Sequence, residues 1–182
     1  MLSLDMLDTS RLHLKTPHPI WIAAGSNPVS VRKATVVTWL LLNVYRTGER
    51  LFKMKKVRSP ECVLCFAPLD DSLHFALKCP ALSQIRSEYL NKFFDCCPSL
   101  EKYLSEDKLL LLALLDPYSP LVPPDIREGW RDSEEIYKLS RNYFYDIHKK
   151  REKVIESTNN EQIDFNETED NTNIIIRFYE NQ

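Results

Sequence analysis

Apolar positions along the chain fall mostly at helical spacing. Asn27 followed by Pro28 is a helix start, with Asn27 as cap and Pro28 at the first helical position. From Val29 to about Arg46 the residues Val36, Trp39, Leu40 and Tyr45 recur at helical intervals, and Val37, Leu41, Leu42 and Val44 widen the face. The breadth of that face predicts a largely buried helix with Trp39 in the core, stopped by Gly48. Leu82, Ile85, Tyr89 and Phe93 mark a second helix, which ends before Pro98. Ser105 is the expected cap of a third through Leu109 to Leu115, apolar nearly all round and therefore expected inside. Asp132 or Ser133 opens the last long helix, with a stripe of Ile136, Leu139, Tyr143, Ile147 and Val154.

Between these helices the pattern breaks in informative places. Residues 1–25 lack periodicity and contain Pro17, Pro19 and Gly25, which predicts an irregular leader packed through Ile20, Trp21 and Ile22. Pro117, Pro120, Pro123 and Pro124 predict a stiff linker. The expected organisation is a mainly α protein. It comprises the leader (1–25), a helical region (26–116) with an embedded zinc knuckle (59–80), the proline-rich linker (117–131), a basic helix (132–156) and an acidic, disordered tail (157–182). Within the tail only Ile174-Ile175-Ile176 has strand character, and the sequon at Asn166 has no meaning without secretion.

The cysteines carry the one specific motif. There are five, Cys62, Cys65, Cys79, Cys96 and Cys97, and an odd number argues against a disulfide framework. Cys62, Cys65, His74 and Cys79 are spaced C-x2-C-x8-H-x4-C, three thiolates and one imidazole. This is a complete tetrahedral donor set for a structural Zn²⁺, with no open position for catalysis. The bland alternative is a core histidine beside buried free thiols; the coincidence of four ligand types within 18 residues favours zinc. The segment from Asp70 to Lys78 reads as a short helix with an aspartate near its start. On a continuous α-helix His74 and Cys79 would be about 500° apart and share no face; Pro80 lets the chain restart and Cys79 turn back. Cys96 and Cys97 read as ordinary thiols.

Charge sharpens this picture only when it is localised. The formal net charge of −2 conceals a tail from Glu156 onward at −6 and a body at +4. Arg46, Arg50, Lys53, Lys55, Lys56 and Arg58, against the single acid Glu49, give +5 immediately before Cys62, with Tyr45 and Phe52 interleaved. Basic residues with aromatics beside a zinc module suit a nucleic-acid backbone with some base stacking; a solvated charged surface is the competing explanation. Lys138, Arg141, Lys149, Lys150, Arg151 and Lys153 predict a second basic surface on the last helix. The longest apolar runs, 36–42 and 109–115, fall far short of the roughly 18 to 20 residues of a membrane span. The N-terminus, with Asp5 and Asp8, does not read as a secretory signal. An intracellular protein is expected, in nucleus or cytoplasm.

Catalytic patterns are weak. Asp70-Asp71 lies inside the zinc loop without a second carboxylate cluster. Asp125, Glu135 and Lys138 have the wrong spacing for a restriction-like nuclease core. Three glycines in all leave no phosphate-cradling loop, and His148 has no evident carboxylate or nucleophile around it. No enzymatic activity and no small-molecule substrate are expected.

The stretch Ser59-Pro-Glu-Cys62-Val-Leu-Cys65, followed by Asp71-Ser-Leu-His74-Phe-Ala-Leu-Lys-Cys79-Pro-Ala-Leu-Ser-Gln-Ile-Arg86, resembles the zinc-binding region after the reverse transcriptase domain of LINE-type, non-LTR retrotransposons. The likeness covers about residues 28–155, including Tyr45-Arg-Thr-Gly48, Leu111 to Pro117, Ile136-Tyr-Lys-Leu-Ser-Arg141 and His148-Lys-Lys-Arg151, with the cysteine and histidine spacing its specific part. It implies zinc ligands at Cys62, Cys65, His74 and Cys79 and a grip on template RNA or target DNA. The polymerase palm, endonuclease and catalytic aspartates of such elements have no counterpart here, so reverse transcription is not implied. The expectation is a detached, non-catalytic RNA- or DNA-binding module, with a missing polymerase domain as its other partner and no membrane partner. The alternative is a zinc-stabilised helical interaction or structural remnant without nucleic-acid function.

Overall fold

A computed structural model describes residues 17–130 and 132–165, with side chains as far as Ser157. In chain order the helices are α1 (Pro19–Ile22), α2 (Pro28–Leu41), α3 (Gly48–Lys53), α4 (Ser83–Cys96), α5 (Asp107–Leu115), α6 (Pro124–Arg127) and α7 (Ser133–Phe165). A π-turn (His74–Lys78) and a 3₁₀ turn (Pro80–Leu82) precede α4, and a second 3₁₀ segment (Pro98–Tyr103) follows it. There is no strand among the described residues, so the mainly α reading holds.

Local signals set the helix starts. Asn27 Oδ1 accepts from the amides of Val29 (2.9 Å) and Ser30 (3.1 Å), with Pro28 at the first position of α2. Asp132 Oδ1 caps α7 in the same way, accepting from Glu134 and Glu135. The end of α2 differs from expectation. The helix stops at Leu41 because Asn43 adopts a left-handed conformation (φ 52°), and the Asn43 and Val44 amides return to the carbonyls of Leu40 and Trp39. Gly48 therefore ends nothing; it begins α3. Nor does Ser105 cap α5, whose N-cap position is Glu106.

The core lies between α7 and its two principal neighbours, α2 and α4. α2 contributes Ala34, Val36, Val37, Leu40 and Leu41, α4 contributes Phe93, and α7 contributes Ile136, Tyr137, Tyr143, Phe144 and Ile147. α5 is buried from Leu110 to Leu115, as an all-apolar helix must be. Three expectations about burial fail. Trp39 is 41% exposed, because α2 turns Ala34, Val37 and Leu41 inward instead. The proline-rich stretch does not hang free: Val122, Ile126 and Trp130 are buried, Trp130 Nε1 donates to Pro117 O (3.2 Å), and Cys97 Sγ packs on the Ile126 carbonyl. Arg141 and Arg151, placed by pattern on a basic surface, are both buried. Arg141 faces the Ile20 carbonyl at 3.4 Å, and burial lowers its pKa.

The leader expectation holds in part. Ile20 is fully buried in α1, while Ile22 is exposed. α7 runs through Phe165, nine residues beyond the expected boundary at Glu156. The remainder of the expected acidic tail, including the strand-like 174–176, lies outside the described residues. No helix among them is long and apolar enough to cross a membrane.

Candidate metal centre and basic segment

Two pieces of backbone bring the four ligands together. The first is the knuckle at Cys62–Ala67. The Phe66 amide donates to Cys62 O (2.8 Å), the Cys62 amide donates to Ala67 O (2.9 Å), and Phe66 takes a left-handed conformation (φ 59°). The second is the π-turn, where an α-helix had been expected. Asp71 Oδ1 caps it by accepting from the His74 amide (2.7 Å), and the Cys79 amide donates five residues back to His74 O (2.7 Å). That wider turn places residues five apart on the same side, which a continuous α-helix forbids.

The donor atoms of Cys62, Cys65, His74 and Cys79 all lie within 4.8 Å of one another. Cys62 Sγ is 3.9 Å from Cys79 Sγ, and Cys65 Sγ is 3.3 Å from His74 Nε2. Around a tetrahedral Zn²⁺, with bonds of about 2.3 Å to sulfur and about 2.0 Å to nitrogen, ligands sit roughly 3.5 to 3.8 Å apart. The cluster fits such an ion after a contraction of about 1 Å at its widest separation. It is a Cys3His group that could hold a metal ion such as zinc. Cys62 and Cys79 are fully buried; burial pushes the Cys62 thiol up to about 12 and raises Cys79 as well. Without an ion these thiols keep their protons, and an incoming metal must displace them. Cys96, the last residue of α4, and Cys97, which follows it, do not join the group.

The lobe that carries the Cys3His group, residues 46–79, is fastened to the helices by contacts that sequence reasoning missed. Asp70 is fully buried and receives Arg151 from α7 in a two-point bond, NH2 to Oδ2 at 2.5 Å and NH1 to Oδ1 at 3.1 Å. The same carboxylate accepts from the Gly48 amide (2.7 Å), while the backbone of Asp70 pairs with Glu49 and Pro60. Burial opposes the Arg151 charge, but the hydrogen bonds and charge of Asp70 more than offset it and its pKa rises. Gly48 is glycine because the 60–61 backbone runs against it: an added Cβ would lie 2.6 Å from Glu61 O. Tyr143 donates from its buried hydroxyl to Ala76 O in the π-turn, and Lys78 pairs with Asp107 of α5.

The six basic residues of the 46–58 segment divide. Lys53, Lys55, Lys56 and Arg58 are exposed, as is Arg46 at its start. Arg50 is half-buried and donates from NH1 to Asn43 O at 2.6 Å, tying α3 to the end of α2. Lys53 pairs with Glu49 at 2.5 Å. Lys55 ends α3 in a left-handed conformation (φ 58°), and the amides of Lys55 and Lys56 return to Phe52 O and Leu51 O. The lysines thus occupy a defined turn. Exposed apolar side chains accompany them: nine of the thirteen large ones among the described residues fall between Trp39 and Leu69, with Phe66 79% exposed.

His148, read from sequence as isolated, has partners. Its Nδ1 is 3.0 Å from Tyr45 Oη and its Nε2 is 3.1 Å from Glu152 Oε1. The i, i+4 spacing to Glu152 was legible; the approach of Tyr45 was not.

No protein-family model, curated protein or solved structure matches the chain.

Proposed function

We propose that the chain is a non-catalytic nucleic-acid-binding module, held in shape by Zn²⁺ at Cys62, Cys65, His74 and Cys79. Its phosphate contacts come from Arg46, Lys53, Lys55, Lys56 and Arg58. The observation that carries this reading is the clamped base of the basic segment. At one end Gly48 and Glu49, and at the other Pro60, bond to the single residue Asp70, which lies between the metal ligands Cys65 and His74. The cations therefore project from a rigid support, which lowers the ordering cost of binding. Arg50 serves the scaffold. The likeness of the ligand spacing to the region after a retrotransposon reverse transcriptase supports the same reading.

Binding to a short duplex and to a single strand, followed by fluorescence anisotropy across a salt series, tests it. Five phosphate contacts give a log-log salt slope of roughly −4.5 on duplex DNA and about −3.5 on a single strand. Charge reversal at Lys55 and Lys56 should weaken binding and flatten the slope by about two contacts. Unchanged affinity and slope would overturn the proposed surface.

The concentration of exposed apolar side chains between residues 39 and 69 supports a second reading, a protein-docking face for a polymerase domain. Binding to such a domain would lack the steep salt dependence.

A further inference from the structure

A cavity of about 320 Å³ opens where α2, the start of the basic segment and α7 meet, lined by Trp39, Tyr45, Arg46, His148, Glu152 and Ile155 among others. We propose that it receives one unpaired nucleobase of a single-stranded nucleic acid. This rests on the nucleic-acid reading above and deepens it by adding a stacking site to the phosphate contacts.

Shape is the first argument. The Trp39 and His148 rings stand nearly perpendicular, at 77° with centroids 6.2 Å apart, and Tyr45 meets His148 at 75°. Such rings form corners that a flat heterocycle fills by lying along one of them, and the volume is at the small end of ligand sites. Trp39 supplies the accessible face, being 41% exposed in a helix whose core packing is done by Ala34, Val36, Val37, Leu40 and Leu41. A second argument is rigidity. Tyr45 is buried and stacks on Phe75 of the π-turn (4.6 Å, 23°), and its hydroxyl and Glu152 hold His148 from opposite sides. The lining is thus fixed before any ligand arrives. Charge is the third. Arg46 is exposed, lines the cavity and is the first cation of the 46–58 segment, so a strand whose phosphates follow that segment passes beside the cavity. A duplex, with its bases paired and stacked, has none to offer.

The test compares three probes on the full chain by anisotropy: a single-stranded oligoadenylate of about twelve nucleotides, an abasic strand of equal length, and a duplex. Trp39→Ala should weaken oligoadenylate binding roughly 10-fold or more, the ordinary worth of one base stacked on an aromatic ring. It should leave the abasic strand and the duplex unchanged, and Trp39→Phe should restore most of the loss. The abasic comparison needs no variant, so a misfolded Trp39→Ala would not spoil the test. Equal binding of the adenylate and abasic strands by the wild-type chain, or equal weakening of all three probes by Trp39→Ala, would overturn the pocket while leaving the phosphate surface standing. If no probe binds with salt dependence, the nucleic-acid reading itself fails and the pocket falls with it.

Discussion

The Cys3His lobe and α5 face each other across the Lys78–Asp107 pair, yet they are stabilised by different physics. α5 carries six consecutive buried apolar residues, Leu110 to Leu115, so its place in the fold is set by apolar burial. From Arg46 to Cys79 the buried apolar set is only Cys62, Phe75, Ala76 and Cys79. There the chain is fixed by turns with left-handed residues at Lys55 and Phe66, by a buried carboxylate that collects three elements, and by a Cys3His group that could hold an ion. The helices set where the lobe sits, while specific bonds set its internal shape. A lobe built in this way can carry an exposed face rich in cations and aromatics, because its folding does not need those side chains inside.

Removing the ion should separate the two regions most sharply. Cys65→Ser, or chelation of the wild-type protein, is expected to remove on the order of 10 kcal/mol of metal-linked folding energy from the lobe. Hydrogen exchange read residue by residue should then show residues 46–79 opening while Leu111 to Leu115 in α5 stay protected. Metal analysis should find one zinc per chain before chelation and none in the variant. Simultaneous loss of protection in both regions would mean that they form one cooperative unit, and the contrast drawn above would be wrong.

Arg151 is the next lever, because it belongs to α7 and acts on the lobe. Arg151→Ala leaves the Asp70 carboxylate buried without its partner, for a loss of about 3 to 5 kcal/mol in chemical denaturation. Arg151→Lys should recover only part of it, since an ammonium cannot make the two-point bond. If Arg151→Ala left both stability and metal affinity intact, the pair would be incidental to the attachment of the lobe.

What could be read from the chain follows the same division. The ligand set, the caps at Asn27 and Asp132 and the buried run in α5 were legible, because each is local: one residue type at a fixed distance from its neighbours. The Asp70–Arg151 pair spans 81 positions, and nothing near either residue marks it; Arg151 follows two lysines and reads as surface. Trp39 was misplaced because a wide apolar face does not say which side wins, and Asn43 was missed as a helix stop because Gly48 was the more familiar signal. The prolines at 117–124 suggested a linker, but Val122, Ile126 and Trp130 bury too much apolar surface for the segment to stay apart. His74 and Cys79 looked badly spaced only on the assumption of an α-helix.

The smallest expected effect lies where α7 meets the approach to the basic segment. His148 bridges Tyr45, which leads into the basic segment, and Glu152 on α7. Burial lowers its pKa, Glu152 opposes that shift, and Lys149 and Arg151 reinforce it. A neutral imidazole that donates from Nε2 to Glu152 and accepts the Tyr45 hydroxyl at Nδ1 meets both contacts without a proton to spare. The folded state therefore binds fewer protons than the unfolded chain, whose histidine titrates near 6.5. The contribution of His148 is fully present above that value and is lost as pH falls through 6.5 toward the lower folded pKa. Acid also displaces an ion held by a Cys3His group, so the comparison must be between wild type and His148→Gln rather than across pH alone. Denaturation midpoints measured at pH 7.5 and pH 5.5 should fall further for the wild type than for the variant, by the part that belongs to this residue. Parallel falls would mean that acid acts through the Cys3His lobe only, and that His148 carries no proton-linked stability of its own.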